Sequence, residues 1–248
     1  MARACRVGLA AGLLFLASCQ RIEKGIAVNV RTESGSLLRW RKAEVVLTLA
    51  PERAEANVDA VLSSTLRNAV ASWNRALSGC KAPRLVVATA TLERPLFRED
   101  RINEVLMHER AWCPPDAADF GQCYDRELHA STRLRPERRP GHRTDGLIKE
   151  ADLEINGVNF RWSARGDRPG TLSLEAMFAH ELGHLLGLDH PCAPKGSRER
   201  TSGRVNVGCD DEKVKYAIMH PDAAQRFARR EVRPLPAEVE AICKAHQN

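Results

Sequence analysis

One run of eleven residues constrains this chain more than anything else in it: His180-Glu181-Leu182-Gly183-His184-Leu185-Leu186-Gly187-Leu188-Asp189-His190. Apolar residues recur at helical spacing from Leu172 to Leu186, which predicts a helix there. On an α-helix, residues four apart lie on one face, one turn above each other. His180 and His184 so placed can both reach a tetrahedral Zn²⁺ at about 2.0 to 2.1 Å, and Glu181 points into the same cleft. A catalytic zinc has three protein ligands and an open fourth position, so a further ligand is needed. His190 is the candidate. Were the helix to continue, it would lie about 9 Å beyond His184 and some 240° around the axis, far from the same metal. The helix must break, and Gly187 stands where a left-handed residue is required to end it and turn the chain back.

The rest of the chain supplies elements to carry that helix. From Glu44, Val45-Val46-Leu47-Thr48-Leu49 is rich in β-branched residues and stops at Pro51, which predicts a strand. Between Ala54 and Leu77, Val58, Val61, Leu62, Leu66, Ala69, Val70, Trp73 and Leu77 recur every three or four residues. They predict an amphipathic helix that Gly79 ends, with Trp73 as a core anchor. Leu85-Val86-Val87-Ala88-Thr89-Ala90 reads as the next strand, giving a βαβ unit with a parallel pair. From Pro95 to Phe120 the pattern is mixed and is read as a short helix, then a proline- and aspartate-rich loop between Cys113 and Cys123. Arginines packed among prolines from Arg133 to Gly141 read as a solvated loop, the alternative being a basic patch for an anionic surface or substrate. Asp152-Leu153-Glu154-Ile155-Asn156 alternates and reads as a strand with one buried face.

His180-Glu181-x-x-His184-x-x-Gly187-x-x-His190 resembles the long zinc signature of the metzincins at all five fixed positions. The resemblance implies a zinc peptidase with Glu181 as catalytic base. It also implies that Met219, within Tyr216-Ala217-Ile218-Met219-His220-Pro221, forms the methionine turn that supports the histidine rings without binding metal. The element order is similar to that of matrixins, closest to matrixin-like bacterial lipoproteins. In matrixins the last strand before the helix pairs with bound peptide, so residues 152–156 are expected to bind substrate by strand addition. The expected fold class is α+β, a metzincin-like zincin domain over residues 40–248. It has a twisted mixed sheet, a long N-terminal helix, the active-site helix and a C-terminal helix. There are departures: no matrixin-type cysteine-switch propeptide is visible, Pro191 follows the third histidine as in serralysins, and His142-Arg143-Thr144-Asp145 does not reproduce the matrixin structural-zinc spacing. Pro221 stands where serralysins and astacins carry a tyrosine ligand.

The N-terminus has the layout of an export signal: Arg3 and Arg6, an apolar run from Val7 to Leu16, then small residues. That run falls short of the roughly 20 apolar residues a membrane-spanning helix needs. Leu16-Ala17-Ser18-Cys19 resembles a bacterial lipobox, which implies removal of residues 1–18, acylation of Cys19 and, with Gln20 following, an outer-membrane location. An ordinary secretory signal is the alternative. Residues 19–39 are expected to be a polar tether between lipid and domain. Beyond Cys5 and Cys19 remain Cys80, Cys113, Cys123, Cys192, Cys209 and Cys243, an even set that suggests three disulfides in an exported protein. Six cysteines allow 15 connectivities. Loop length alone favours Cys113 with Cys123 and Cys192 with Cys209, leaving Cys80 for Cys243, and free buried thiols are the alternative.

A net charge of +6 without a nucleic-acid motif argues against nucleic-acid binding. The expected partners are a protein or peptide substrate and a membrane reached through the lipid, with the protein itself a monomer. Asp210-Asp211-Glu212 suits Ca²⁺ by ligand type, but a three-residue acidic run is usually a solvated turn. His220 is expected to border the substrate cleft and residues 220–227 to wall its specificity pocket. His108, His129, His142 and His246 have no ligand spacing. The rival to the enzyme is a surface lipoprotein whose zinc site is closed by a fourth protein ligand and whose cleft binds a protein partner. Cys192 is the nearest candidate for that ligand.

Overall fold

The computed structural model describes residues 26–50, 56–88, 99–114, 123–193 and 207–247. Cys19 and the expected leader lie outside them. The architecture is mixed α+β, built on a five-stranded sheet in the order β3-β2-β4-β6-β5. The expected βαβ unit is present: β2 (Glu44–Leu49), α1 (Ala56–Ala76) and β3 (Arg84–Val87), with β2 and β3 parallel. β4 (Asn103–His108) joins the other side of β2 in parallel, and β6 (Ile148–Asn156) joins β4 in parallel. β5 (Ala130–Pro136) closes the sheet antiparallel to β6 and leaves its other side as the edge.

On β6 the strand period of two separates two chemistries. Ala151, Leu153 and Ile155 belong to the apolar core, which also takes in Trp73 of α1 and Phe178, Leu182 and Leu185 of α2 (Leu174–Leu185). Glu150, Asp152 and Glu154 alternate with them, are equally buried, and find polar partners. Glu154 meets His108 Nε2 at 2.8 Å and accepts the Tyr124 hydroxyl at 2.7 Å, Glu150 pairs with Arg135 Nε at 2.7 Å, and Asp152 accepts the Glu104 N–H at 3.1 Å. A buried carboxylate without such partners would cost several kcal/mol, on the order of the desolvation of one ion.

Four expectations need correction. The stretch read as a short helix contains β4, because Asn103 and Glu104 are buried polar residues that mask its strand pattern. The stretch read as a solvated basic loop begins inside β5. Arg133 and Arg135 project from that strand to Glu154 and Glu150, so they answer buried carboxylates rather than an external anion. Residues 152–156 cannot add a peptide strand, since β6 is hydrogen-bonded on both sides, by β4 and β5. The domain also starts before Trp40. β1 (Val28–Asn29) pairs antiparallel with β9 (Leu188–Asp189), and the Thr32 and Ser34 hydroxyls both donate to Asp145. The polar residues there are partners of a distant loop, not a tether's solvated surface.

Two short strands, β7 (Trp162–Ser163) and β8 (Leu172–Ser173), lead into α2, whose first turn is capped by the Ser173 hydroxyl accepting from the Ala176 N–H. After the central helix come a single helical turn, α3 (Ala223–Arg226), and α4 (Pro236–Ala245). Three disulfides tie these parts: Cys80–Cys243 joins the end of α1 to α4, Cys113–Cys123 closes a loop after β4, and Cys192–Cys209 fastens the chain just past His190. This is the pairing that loop length favours. No described helix is long and apolar enough to cross a membrane.

Candidate metal centre and its cleft

α2 is clamped before it presents anything. Trp73 is fully buried and its indole N–H donates to Ala179 O at 2.8 Å, while Trp40 donates to Leu185 O at 2.8 Å. Between those clamps His180 and His184 lie one turn apart on one helix face. Gly187 then takes φ +94°, and a Cβ added there would sit 2.6 Å from Leu38 O. Both the backbone hand and the close approach require glycine. The turn carries His190 back, and the Nε2 atoms of the three histidines converge: 3.0 Å for His180 to His190, 3.1 Å for His184 to His180 and 3.2 Å for His184 to His190.

The tautomers decide what those contacts mean. His180 Nδ1 lies 2.8 Å from Ile218 O and His184 Nδ1 2.8 Å from Leu188 O. A carbonyl oxygen only accepts, so both Nδ1 atoms carry hydrogen and both Nε2 atoms present lone pairs to each other. Facing lone pairs repel unless a cation lies between them. Tetrahedral ligands at zinc–nitrogen distances of about 2.0 to 2.1 Å stand about 3.3 Å apart, within a few tenths of the spacing found. Donation of the second ring nitrogen to a backbone carbonyl is also how ligating histidines are commonly oriented. Burial, reinforced by the neighbouring imidazoles, holds the His180 pKa well below its ordinary value and that of His190 down to about 3. His180 and His190 are therefore neutral and able to coordinate, and the donor set of the three rings fits a zinc ion with an open fourth position.

The floor of the site is the turn containing Met219. Met219 is fully buried, its N–H donates to Glu238 Oε1 at 2.8 Å, and its Sδ packs so closely under α2 that a Cβ at position 183 would collide with it unless the thioether moved. Ile218, one residue earlier, orients His180. His220 does not border the cleft: its Nδ1 accepts the Asp222 N–H at 3.0 Å, and its Nε2–H donates to Cys209 O at 3.1 Å. Those bonds bury the ring, leaving Pro221 and Asp222 as the cleft wall. Cys192, Cys209 and His220 form a second cluster of metal-ligand types among the described residues, but its two sulfurs are joined to each other. Of the acidic run, Asp211 caps the Lys213 N–H at 2.8 Å and Glu212 pairs with Lys215 at 3.0 Å.

Glu181 is buried beside the triad, and its Oε2 accepts the Thr132 hydroxyl at 2.5 Å. Burial raises its pKa above the usual carboxylate value, against the opposing influence of His184 and the Thr132 hydrogen bond. The cleft holding Glu181 and the three histidines encloses about 500 Å³, and β5 forms its upper wall through Ala130, Ser131, Thr132 and Leu134. Thr132, Met177 and His129 are cleft residues that sequence reasoning missed. The available signal for Thr132 was its place in the alternation Ala130, Thr132, Leu134.

No family model matches the chain, and no curated protein does. Among solved structures, high choriolytic enzyme 1, a hatching enzyme zinc-protease from the medaka fish Oryzias latipes, is similar at 12% identity and a TM-score of 0.35. The match covers 89% of this chain and 98% of that one.

Proposed function

We propose that this protein is a zinc-dependent endopeptidase of the metzincin type, with His180, His184 and His190 holding the metal and Glu181 as general base and acid. The observation that carries the proposal is the convergence of three Nε2 atoms within 3.0 to 3.2 Å beside a buried carboxylate. When bound there, zinc supplies Lewis acidity, polarising a carbonyl and lowering the pKa of water from 15.7 towards about 7. The Ile218 and Leu188 carbonyls keep His180 and His184 in the coordinating tautomer. Thr132 fixes the Glu181 carboxylate, which takes a proton from the attacking water and passes it to the leaving amine.

The substrate strand belongs to β5 in this proposal, replacing residues 152–156. β5 is the outer strand of the sheet among the described residues and lines the cleft of the triad, a position that suits strand addition, which gives affinity without reading side chains. Antiparallel addition is the more stable pairing. The rival reading, a closed zinc site on a binding protein, loses support because Cys192 is joined to Cys209 and unavailable as a fourth ligand. Export, with acylation at Cys19 and an outer-membrane location, completes the proposal, as does a monomeric state. The test is digestion of a mixed peptide set read by mass spectrometry. Cleavage should cease on chelation and return with zinc, and cleavage indifferent to chelation would refute the metal assignment.

A further inference from the structure

Charge in the cleft is one-sided. The chain carries a formal net charge of +6, yet the formally charged side chains that line the cleft are Glu127, Glu181 and Asp222, and no lysine or arginine joins them among the described residues. Arg133 and Arg135, the two arginines of β5, ion-pair with Glu154 and Glu150 instead.

Register places Glu127 on one side of the bond to be cut, and Asp222 lines the same cleft. Thr132 is hydrogen-bonded to Glu181, so residue 132 marks the level of the catalytic centre. A peptide running antiparallel to β5 has its residues after the scissile bond beside Ser131, Ala130, His129 and Leu128. Glu127 lies at that end. His129 and Asp222 line the same cleft, and burial lowers the His129 pKa against the opposing influence of the Asp222 carboxylate. The His129 ring is itself held against Phe160, centroids 4.4 Å apart, and Met177, almost fully buried, adds apolar surface to the same cavity.

Apolar wall with carboxylates at an exposed rim is the complement of a long aliphatic stem ending in a cation. Such complementarity acts mainly on specificity, because an acidic side chain in the same place meets like charge. We propose that the subsite following the scissile bond, formed by Glu127, His129, Met177 and Asp222, selects lysine or arginine, with Asp222 and Glu127 as the specificity-determining residues. The inference rests on the peptidase reading.

The Asp222 carboxylate lies 3.9 Å from His220 Nδ1, beyond hydrogen-bond distance, so Asn there should leave the fold intact. Asp222 precedes α3 without making a side-chain cap hydrogen bond, and Glu127 is exposed. The experiment measures kcat/KM of the zinc-loaded protein on peptides carrying Arg, Lys, Leu or Glu after the cleaved bond. The same set is given to Asp222→Asn/Glu127→Gln and to Asp222→Lys, each first checked for folding by thermal unfolding. Arg and Lys peptides are expected to exceed the Glu peptide at least tenfold with the wild type. The double variant should narrow that ratio to a few fold, and Asp222→Lys should reverse it. Preference for Leu or Glu by the wild type, or a cation preference untouched in the double variant, overturns the inference while leaving the peptidase standing. Absence of cleavage of every peptide overturns both.

Discussion

The tightest contact in the site makes the sharpest prediction. Gly183 lies on α2 between the first two candidate ligands, and a Cβ there falls well inside contact with Met219 Sδ, with Trp73 Cζ2 at 3.4 Å. By propensity alone, Gly183→Ala should stabilise a helix interior by about 0.8 to 1.0 kcal/mol. Overpacking a full core costs about 1 to 3 kcal/mol. The Met219 side chain is fully buried in the core and Trp73 is tied by its indole to Ala179, so neither yields freely. The collision should win by up to about 2 kcal/mol, lowering Tm by roughly 2 to 4 °C per kcal/mol for a domain of this size. Because Met219 follows Ile218, whose carbonyl orients His180, zinc affinity should fall as well. The assay is thermal unfolding and zinc titration of Gly183→Ala, Met219→Ala and the double variant. Met219→Ala should cost about 2 to 5 kcal/mol alone, and adding Gly183→Ala to it should cost nothing or stabilise. If Gly183→Ala stabilises the protein with Met219 intact, the packing argument is wrong.

Three further outcomes follow from other contacts. Thr132→Val removes a hydrogen bond to a charged group worth about 1.5 to 3 kcal/mol, so kcat/KM should drop roughly 10- to 100-fold at unchanged zinc content. Unaltered kinetics would remove Thr132 from the mechanism. Burial pushes the pKa of Glu238 up to about 7, and burial with the Glu150 and Glu104 carboxylates does the same for Asp152. Raised acids contribute stability that is present below their unfolded values near 4 and lost as pH rises through 7, whereas buried histidines with lowered pKa, His129, His180 and His190 among them, act in the opposite sense in wild type and variant alike, so the urea midpoint of Glu238→Gln should gain on that of the wild type from pH 5 to pH 8. A difference between variant and wild type that stays constant over that range would contradict the assignment. Replacing Cys80 and Cys243 by serine opens a loop of sequence separation 163 and should cost about 2 to 5 kcal/mol in denaturant unfolding. A loss under 1 kcal/mol would show that α4 is held by packing alone.

What the sequence revealed and what it hid divide along one line. His180, Glu181, His184, Gly187 and His190 were legible because one helix turn and one glycine bring them together, all within a local stretch. The βαβ unit was legible for the same reason, since β2, α1 and β3 each bury an apolar pattern of the expected period. β5 was hidden because its outward positions, Ser131, Arg133 and Arg135, are polar or basic and make sense only beside Glu154 and Glu150 of another strand. β4 was hidden by Asn103 and Glu104, whose partners are likewise remote: Asn103 donates to Val46 O and accepts from the Ala151 N–H. The choice of β6 as the substrate strand failed because being an edge is a property of the sheet, and no residue of 152–156 carries it. The N-terminal segment looked like a tether because its hydroxyls and Arg39 bond to residues more than a hundred positions away.

Turnover of one peptide by the wild type and by Glu181→Ala at matched zinc content tests the central claim most directly. Loss of a positioned general base should lower kcat by about 10² to 10⁴, with zinc still bound through the three histidines. Wild-type turnover in Glu181→Ala, or no turnover by a folded, zinc-loaded wild type, would contradict the account.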